Sequence, residues 1–591
     1  MSLVIDRARA HQPSAPQATV PSPSPSPSAP ADAPARRPAP AARLAFGREP
    51  WAGGAAAWLL YSALGVWMAY RYGAMRDTLA HLANAYYVLF SRDPHPAAIG
   101  FIWNPLPSML ALPLVALKGL WPELATRGIA ADLVTALCGG VTVFYWLRLM
   151  RRIGLPRHLR WTVTALFALN PAIAFYAANG MSDLILMAAL VAAVDGLWGY
   201  LHEESVPDLL ASGVWVAVGF LTRYDAVIWA VVVAGMAALA LGRAPYQGAA
   251  PAERWEWVRG FLLLWLTPLT YAATAWIFAN WAIMHDPLYF LRGAYSNTAQ
   301  NATGHYAWAP LAAARSLGGA LAFIARQTLL FPPVALGALA LLGYGLVGRG
   351  ARHRDALILV AAALGVPLLQ VLLLSRGESD GWLRYFISYV PFGFLTVVYA
   401  LRLVPPGRAG RAAWTLGLAA LAAGDVASFS AALTPRWHFR YETPATFAEV
   451  DPIVAYLDAH PRLTVLTDSF LAFPIVLRVH QPARLVITSD RDFTQALNHP
   501  RGRVDAVLVP EPQKTGLGQL DAVNVRYPTL WRSGEPWARL TAQFPLRAYS
   551  SEDYHWRLYS LRPGQAQGGR PGSTTTAPAA CHCPARRGSH D

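Results

Sequence analysis

Long apolar runs separated by short polar links fill the chain from Trp51 to Leu433. Links rich in arginine recur after every second run, except at His202 to Asp208, and the positive-inside rule places such links in the cytoplasm. On this basis about eleven runs can cross a membrane as helices. The predicted spans are Trp51 to Tyr70, Arg127 to Leu147, Trp161 to Ala178, Ser182 to Leu201, Leu209 to Leu221, Ala226 to Leu241, Gly260 to Trp281, Leu329 to Val347, Ala356 to Leu374, Tyr385 to Leu401 and Ala412 to Leu433. The pattern predicts an α-helical polytopic membrane protein with a cytoplasmic N-terminus and an outward last span.

One apolar stretch, Leu106 to Trp121, is predicted not to cross the membrane. The link LRLMRRIGLPRHLR carries five arginines and belongs in the cytoplasm, so only one crossing separates it from the outer loop at 71–126. That crossing is Arg127 to Leu147. Because Leu106 to Trp121 is short and contains Pro107 and Pro113, we expect it to lie at the outer membrane surface.

The stretch Met75 to Phe90, just before it, has the pattern of an amphipathic helix. At 3.6 residues per turn, one face carries Leu79, Leu82, Ala83, Tyr86 and Phe90, and the other carries Asp77, His81, Asn84 and Ser91. This pattern favours a helix on the membrane surface, with its apolar stripe in the headgroup boundary and its carboxylate and imidazole facing water or a cavity. An ordinary amphipathic connector is the alternative.

Composition agrees with a membrane protein. Of 591 residues, 54% are hydrophobic and only 14% are charged, which is more apolar surface than one soluble core of this charge content holds. The formal net charge is +15. Its basic residues lie mostly in the short links and tails, so positive-inside topology explains them better than a nucleic-acid partner does.

Composition also changes along the chain. Residues 1–48 are rich in Pro, Ala and Ser and predict a disordered cytoplasmic tail, and residues 562–591 predict a second disordered tail. The transmembrane domain is expected over 49–433. After it, apolar runs shorten to strand length in LTVLTDS, RLVITSD and VDAVLVPEP and alternate with segments such as PATFAEVDPIVAYLDAH. This alternation predicts a C-terminal α/β domain over 434–561, outside the cytoplasm.

With this topology, ionisable residues in or beside the spans collect at the outer end, where charges at membrane depth mark a polar cavity or pathway. They are Asp77 and His81 in the first outer loop, Asp183 at the start of a span, Arg223, Tyr224 and Asp225 in the hairpin TRYDAV, Asp286 in the next loop, and Glu378, Arg384 and Tyr385 around the last outer hairpin. Structural roles are the alternative. Asp183 or Asp225 caps a helix or satisfies an arginine in that case, and Asp286 belongs to a packed turn.

The order of motifs resembles the GT-C superfamily of integral membrane glycosyltransferases, and is similar to that of the protein O-mannosyltransferases and the lipid A aminoarabinose transferases. The resemblance runs from Trp51 to Leu433 through RDTLAH, WNPLPSMLALP, LRLMRRIGLPR, TRYDAV, HDPLYF and LRYFISYVP. One departure stands out. Many relatives have two adjacent acids in the first loop, whereas Thr78 follows Asp77 here.

The resemblance implies an inverting transferase in the plasma membrane that moves a sugar from a polyprenyl-phosphate donor to a lipid, glycan or protein acceptor at the outer face. Asp77 is the expected base, with His81 beside it. Arg384 and Arg223 are expected to bind the donor phosphate. Substrate contacts are expected from Asp183, Tyr224, Asp225, Asp286, Glu378 and Tyr385. No cofactor is indicated, and a divalent cation stays open because the second acid is missing. A polytopic transporter and a non-catalytic envelope glycan assembly protein of this fold are the alternatives.

Overall fold

The computed structural model describes residues 47–243, 251–303, 314–328, 332–348, 350–379, 381–432, 444–512, 516–546 and 554–561. Nearly all of the two predicted tails therefore lies outside the described residues.

Helices make up most of the described chain, as the apolar runs predict. They are α1 (Arg48–Arg71), α2 (Arg76–Phe90), α3 (Leu106–Val115), α4 (Glu123–Thr126), α5 (Ile129–Arg152), α6 (Arg157–Leu169), α7 (Pro171–Ala177), α8 (Ser182–Glu203), α9 (Val206–Thr222), α10 (Asp225–Arg243), α11 (Pro251–Met284), α12 (Tyr289–Arg292), α13 (Asn297–Ala302), α14 (Leu317–Thr328), α15 (Pro332–Val347), α16 (Ala351–Arg376), α17 (Tyr389–Leu403), α18 (Arg408–Ala432), α19 (Pro444–Ala459), α20 (Ser469–Val476), α21 (Phe493–Asn498) and α22 (Ala522–Arg526).

A five-stranded sheet lies in the C-terminal part of the chain, where the sequence predicts an α/β domain. Its strands are β1 (Val465–Leu466), β2 (Leu485–Val486), β3 (Ala506–Pro510), β4 (Ala538–Leu546) and β5 (Tyr554–Leu561), in the order β2-β1-β3-β5-β4. The first three are the runs identified in the sequence, and they pair in parallel, Val465 with both Leu485 and Ala506. Strand β5 pairs antiparallel with β3 and with β4.

Seven helical segments in the described part of the chain are long and apolar enough to cross a membrane. They are α1, α5, α8, α10, α11, α16 and the segment Arg384–Leu403. Four shorter apolar helices accompany them at Leu106–Gly119, Val206–Thr222, Leu317–Arg326 and Ala335–Val347. The chain is thus an integral membrane protein by the length and composition of its helices.

The first and second predicted spans cross at two glycines. A Cβ added at Gly54 of α1 would lie 2.9 Å from the Gly140 carbonyl oxygen of α5, and one added at Gly140 would lie 2.7 Å from the Gly54 oxygen. Small residues at such a crossing let two backbones approach closely, which is how membrane helices gain packing without a hydrophobic driving force between them. The crossing fixes α1, and the loop that follows it, against α5.

The run predicted to span the membrane over Trp161 to Ala178 is not one continuous helix, because the chain breaks at Asn170 into α6 and α7. The Asn170 side-chain oxygen accepts hydrogen bonds from the amides of Ala172 (3.1 Å) and Ile173 (3.3 Å), and Pro171 has no amide hydrogen to continue α6. The Asn170 side-chain nitrogen donates a hydrogen bond to Asp425 Oδ1 at 2.6 Å. An asparagine–proline pair inside an apolar run starts a new helix here.

Charges at the end of the bundle away from Asp77 explain the link that lacks arginine. Arg148 and Arg152, from the last turns of α5, reach Asp208 at 3.0 and 2.8 Å. Arg148 also lies 3.2 Å from Asp195. The acidic link after α8 is therefore neutralised by the basic end of α5, so both lie on the same side of the bundle.

The apolar stripe of α2 packs against protein, which corrects the expectation that it sinks into the headgroup boundary. Leu79 and Leu82 are fully buried and Tyr86 is 1% exposed. They share one hydrophobic core with residues of the C-terminal part, among them Ile453 and Ile475. Helix α2 is thus held between the bundle and the C-terminal sheet rather than against lipid.

Candidate functional site

Asp77 and Arg384 form an ion pair in which Arg384 Nη1 lies 2.5 Å from Asp77 Oδ2. Asp77 is in the first turn of α2, and Arg384 is in a short 3-10 helix, Leu383–Phe386, that precedes α17. The Asp77 side chain remains 40% exposed, whereas that of Arg384 is 17% exposed. The Asp77 carboxylate is therefore paired and still open to solvent.

Arg223 lies between two other carboxylates. Its Nη1 atom lies 3.2 Å from Asp183 Oδ1, and its Nε atom lies 2.9 Å from Asp225 Oδ2. Asp183 is buried at the start of α8, and Arg223 and Asp225 flank the turn between α9 and α10. The turn thus places its arginine against the acid at the start of the neighbouring helix.

Tyr385 joins the two ion-paired groups. The guanidinium carbons of Arg223 and Arg384 lie 5.4 and 5.3 Å from the centre of its ring, within cation–π range. Four separate segments therefore meet at one place. We refer to Asp77, Asp183, Arg223, Asp225 and Arg384 as the arginine–aspartate cluster.

The cluster sets the protonation of the two residues predicted on the polar face of α2. Burial works to raise the pKa of the Asp77 carboxyl, but Arg384, His81 and Arg76 outweigh it and hold that pKa below its ordinary value. Burial lowers the pKa of His81 to about 4, and Arg223 and Arg384 act in the same direction against Asp77. Near pH 7, Asp77 is an anion and His81 is neutral.

His81 lies beside Trp103, with ring centres 4.7 Å apart. Its Nδ1 atom is buried and has no hydrogen-bond partner among the residues that the structure describes. A neutral imidazole with an unused ring nitrogen is able to donate or accept a hydrogen bond from a substrate.

Thr78, the residue after Asp77, contacts the turn that precedes α8. It is fully buried, and its hydroxyl donates to the Asn179 carbonyl at 2.6 Å. The turn at Asn179 leads directly into Asp183, and Met181 Sδ lies 3.9 Å from Arg384 Nη1. Thr78 thus fixes the first turn of α2 to the turn that precedes α8.

Tyr224 forms an aromatic wall next to Arg223. Its hydroxyl accepts a hydrogen bond from Trp276 Nε1 at 3.0 Å and lies 3.4 Å from the Ile102 carbonyl oxygen. Its ring stacks on Phe290 with centres 4.9 Å apart. Phe290 was not identified from the sequence, because nothing in HDPLYF indicates which residue its ring stacks on.

Two predicted site residues are not brought into the cluster. Asp286 accepts a hydrogen bond from the Leu288 amide at 2.9 Å, so it closes a local turn, as the structural alternative holds. Glu378 is exposed and is held through its backbone: its amide donates to the Leu373 carbonyl at 2.8 Å, and its carbonyl accepts from Asn301 Nδ2 at 3.2 Å. Asp77, His81, Asp183, Arg223, Tyr224, Asp225, Arg384 and Tyr385 lie in or against the cluster.

The carboxylates of the cluster are a poor fit for a divalent cation. Each one faces an arginine, and no group of three or more His, Cys, Asp or Glu side chains in the described ranges is arranged to hold a metal. We therefore derive no step through a metal ion.

Comparison with solved structures finds a membrane-protein structure of similar fold. The structure of ArnT from Cupriavidus metallidurans, solved with undecaprenyl phosphate, matches 89% of this chain and 99% of its own length at 14% identity and a TM-score of 0.51. The archaeal oligosaccharyltransferase AglB from Archaeoglobus fulgidus, solved with an inhibitory peptide and a dolichol-phosphate, matches 89% of this chain and 75% of its own at 10% identity and a TM-score of 0.40. No protein-family model and no curated protein sequence matches the chain.

Proposed function

We propose that this chain is an inverting glycosyltransferase that moves a sugar from a polyprenyl phosphate to an acceptor hydroxyl at the outer face of the plasma membrane. The observation that carries the proposal is the Asp77–Arg384 pair, with Arg223 across the Tyr385 ring, in a chain with the GT-C fold. One carboxylate suited to a general base and two guanidinium groups suited to a phosphate lie together.

In the proposed reaction, ionised Asp77 takes the proton of the acceptor hydroxyl. The acceptor oxygen bonds to the anomeric carbon while the bond from that carbon to the phosphate oxygen breaks, and the electron pair leaves with the phosphate. Arg384 and Arg223 stabilise the charge that grows on the phosphate. Attack on the face opposite the leaving group inverts the anomeric configuration. The phosphate leaves readily, so the mechanism needs no second carboxylate as a general acid.

Arg384 links donor binding to the release of the base. Without donor, its guanidinium faces Asp77 at 2.5 Å. An incoming phosphate competes for the same donor groups, and the Arg384 Nε atom is buried without a partner in the described part of the chain. Donor binding therefore draws Arg384 from Asp77 and frees the carboxylate, so we expect the donor to bind before the acceptor.

The partners follow from the same proposal. ArnT was solved with undecaprenyl phosphate, which supports a polyprenyl-phosphate donor here. The isoprenoid tail needs an apolar groove between spans, and α3 with Trp103 forms its wall in this proposal. The N-terminus and the arginine links are cytoplasmic, and the transmembrane domain (49–433) carries the cluster at its outer end. The C-terminal α/β domain (434–561) is extracytoplasmic.

Purified protein incubated with a panel of polyprenyl-phosphate sugars, with release of the lipid phosphate followed, tests the proposal. Asp77→Asn should lower transfer by roughly a hundredfold to ten-thousandfold while the protein stays folded and inserted. Asp451→Asn, which removes an exposed carboxylate paired with Arg478 in the C-terminal part, is the matched control and should retain transfer. Normal turnover of Asp77→Asn removes Asp77 from the mechanism.

Donor binding separates the two arginines. Arg384 is ion-paired with Asp77, whereas Arg223 is held by both Asp183 and Asp225. Arg384→Ala should therefore weaken binding of undecaprenyl phosphate more than Arg223→Ala does. Equal and negligible effects assign both arginines to structure alone.

The two alternatives make different predictions in the same preparation. A transporter gives substrate flux in proteoliposomes without a transfer product. A non-catalytic assembly protein binds the donor without turnover. Thr78 in place of a second acid favours the non-catalytic assembly protein. The hydrogen bond from Thr78 to the Asn179 carbonyl, however, gives Thr78 a structural role.

A further inference from the structure

The C-terminal sheet has an edge of the kind at which α/β proteins bind ligands. Strands β1, β2 and β3 are parallel, and β1 lies between the other two. In open α/β sheets the ligand crevice lies beyond the carboxyl ends of such strands, where the strand order reverses. Thr467 and Asp468 follow β1 here, and Thr488 and Asp490 follow β2. We call this the strand-end edge.

The strand-end edge is covered by a loop of the transmembrane part, residues 285–303. The Tyr295 hydroxyl donates to Asp468 Oδ2 at 2.8 Å, and its ring stacks on Phe470 with centres 4.7 Å apart. Farther along the loop, the Thr303 carbonyl accepts a hydrogen bond from the Gly516 amide at 3.2 Å. The place that a ligand would take in a free sheet is thus occupied by the chain itself.

Asp468 is shaped to receive that hydroxyl. It is fully buried, its Oδ1 atom accepts from the Phe470 amide at 2.8 Å, and its Oδ2 atom accepts from the Ala522 amide at 2.7 Å as well as from Tyr295. A buried carboxylate needs such donors, since an unpaired one is costly. Removing the tyrosine hydroxyl leaves one acceptor site of Asp468 unfilled.

The same edge holds the end of the helix that carries Asp77. Arg92, just after α2, pairs with Asp490 at 3.4 Å and with Asp492. Asp93 accepts from Arg491 at 2.8 Å. Two loops of the transmembrane part therefore end on the strand-end edge, one from α2 and one from residues 285–303.

The other end of the 285–303 loop lies against the arginine–aspartate cluster. Phe290 stacks on Tyr224, which is the neighbour of Arg223. Only four residues separate Phe290 from Tyr295, so holding Tyr295 restricts where Phe290 lies.

We infer that Tyr295 and Asp468 are positioning residues: the C-terminal sheet uses its strand-end edge as a socket for the 285–303 loop and thereby fixes the aromatic wall beside Arg223. The effect on transfer rests on the proposed function, whereas the socket does not.

Hydrogen–deuterium exchange on the full-length protein in detergent, without substrate, tests the socket. Tyr295→Phe removes only the hydroxyl and should speed exchange of residues 286–303 by roughly tenfold, with residues 463–512 unchanged. Tyr527→Phe is the matched control, because its hydroxyl donates to the Leu497 carbonyl at 2.7 Å inside the C-terminal part. It should leave the loop unchanged. Unaltered loop exchange in Tyr295→Phe overturns the socket.

Transfer assays on the same proteins test its consequence. Tyr295→Phe should raise KM for the donor several-fold with a smaller change in kcat, and Asp468→Asn should do the same. If Asp468→Asn fails to fold, Tyr295→Phe alone decides. Faster loop exchange with unchanged KM and kcat overturns the positioning role. Absence of transfer by the unaltered protein sinks the proposed function, and the exchange result still decides the socket.

Discussion

At the residue scale, Arg384 determines how Asp77 behaves. Together with His81 and Arg76, the guanidinium holds the pKa of the carboxyl below its ordinary value against the effect of burial, and it pairs with the Asp77 Oδ2 atom. His81 is neutral near pH 7, since burial lowers its pKa to about 4. The pKa of Asp77 therefore depends on where Arg384 lies.

This dependence predicts a difference between two pH profiles. The profile of kcat/KM reports the free enzyme and that of kcat reports the donor complex. In the proposed reaction the donor phosphate takes Arg384 away. The Asp77 pKa should then rise in the complex, and the acid limb of the kcat profile should lie at higher pH than that of the kcat/KM profile. Arg384→Gln should raise the limb of kcat/KM towards that of kcat. Coincident limbs in the unaltered protein contradict the exchange of partners.

Thr78 supports a second prediction. Its hydroxyl bonds to Asn179, and its methyl lies where a Cβ on Gly180 would be 2.2 Å away, so the site has no room for a longer side chain. Thr78→Ser should retain stability, Thr78→Val should lose about 1–3 kcal/mol, and Thr78→Asp should lose more because it buries a carboxylate. Thermal unfolding in detergent ranks them. A Thr78→Asp protein as stable as the parent means that a second acid is tolerated there.

The sequence predicts where these residues lie but not which residues they contact. The helical period predicts that Asp77 and His81 share a face, and the topology predicts that Arg223 and Arg384 lie at the same end. Which acid faces which arginine is decided by side-chain packing between segments far apart in the chain, so the Asp77–Arg384 pair and the bond from Thr78 to Asn179 have no sequence signal.

At the element scale, the periodicity of hydrophobic residues predicts where helices form, but it does not predict whether lipid or protein packs on their apolar faces. The apolar stripe of α2 is correctly predicted, but a stripe looks the same whether lipid or protein packs on it, and here the C-terminal part covers it. The break at Asn170 shows the other limit. A local cap outweighs an apolar run that is long enough to span.

The C-terminal element contains a pH-sensitive pair. Burial raises the pKa of Asp468, and burial together with Asp468 raises that of Asp521 well above its ordinary value. A carboxyl whose pKa is higher in the folded state contributes full stability below about pH 4 and loses it as the pH rises through the folded pKa. The C-terminal part should therefore become less stable between acidic and neutral pH.

Asp521→Asn tests that expectation, because asparagine keeps the cap on α22, which Asp521 provides by accepting from the Asn524 amide at 2.8 Å. Exchange rates of residues 516–526, measured from pH 5 to 8 and corrected for intrinsic exchange, should depend less on pH in the variant. Asp505→Asn, which removes the charge of a carboxylate that accepts from the Thr464 amide, is the control and should retain the parent's dependence. The same pH dependence of exchange in the parent, Asp521→Asn and Asp505→Asn would contradict a pH-sensitive Asp468–Asp521 pair.

At the scale of the whole molecule, hydropathy and charge predict a helical membrane architecture, and the match to the ArnT structure shows a similar fold. They do not determine the number of crossings. Seven helical segments meet the length and composition of a span in the described ranges, whereas about eleven are predicted. The four others are the broken run over 161–178, the shorter apolar helices Val206–Thr222 and Ala335–Val347, and α18, which is long enough but is not among the seven.

Orientation is a prediction of the whole molecule that labelling is able to decide. Arg402, Arg408 and Arg411 surround the link before α18, so positive-inside topology places that link in the cytoplasm and the C-terminal sheet outside. With the three native cysteines replaced by serine, a cysteine at exposed Ser533 should react with a membrane-impermeant maleimide in intact cells. A cysteine at exposed Ala409 should react only after permeabilisation.

The opposite labelling pattern would put Asp77 in the cytoplasm, where the donor and acceptor of the proposed reaction are not expected to meet. If the cysteines at Ser533 and Ala409 were both labelled in intact cells, both positions would lie outside. The single crossing by α18 that is predicted between them would then be wrong. The arginines of α5 and the carboxylates they pair with lie at the end of the bundle away from Asp77. Labelling that places the arginine end of α5 in the cytoplasm therefore places Asp77 outside. Only that orientation is compatible with transfer at the outer face.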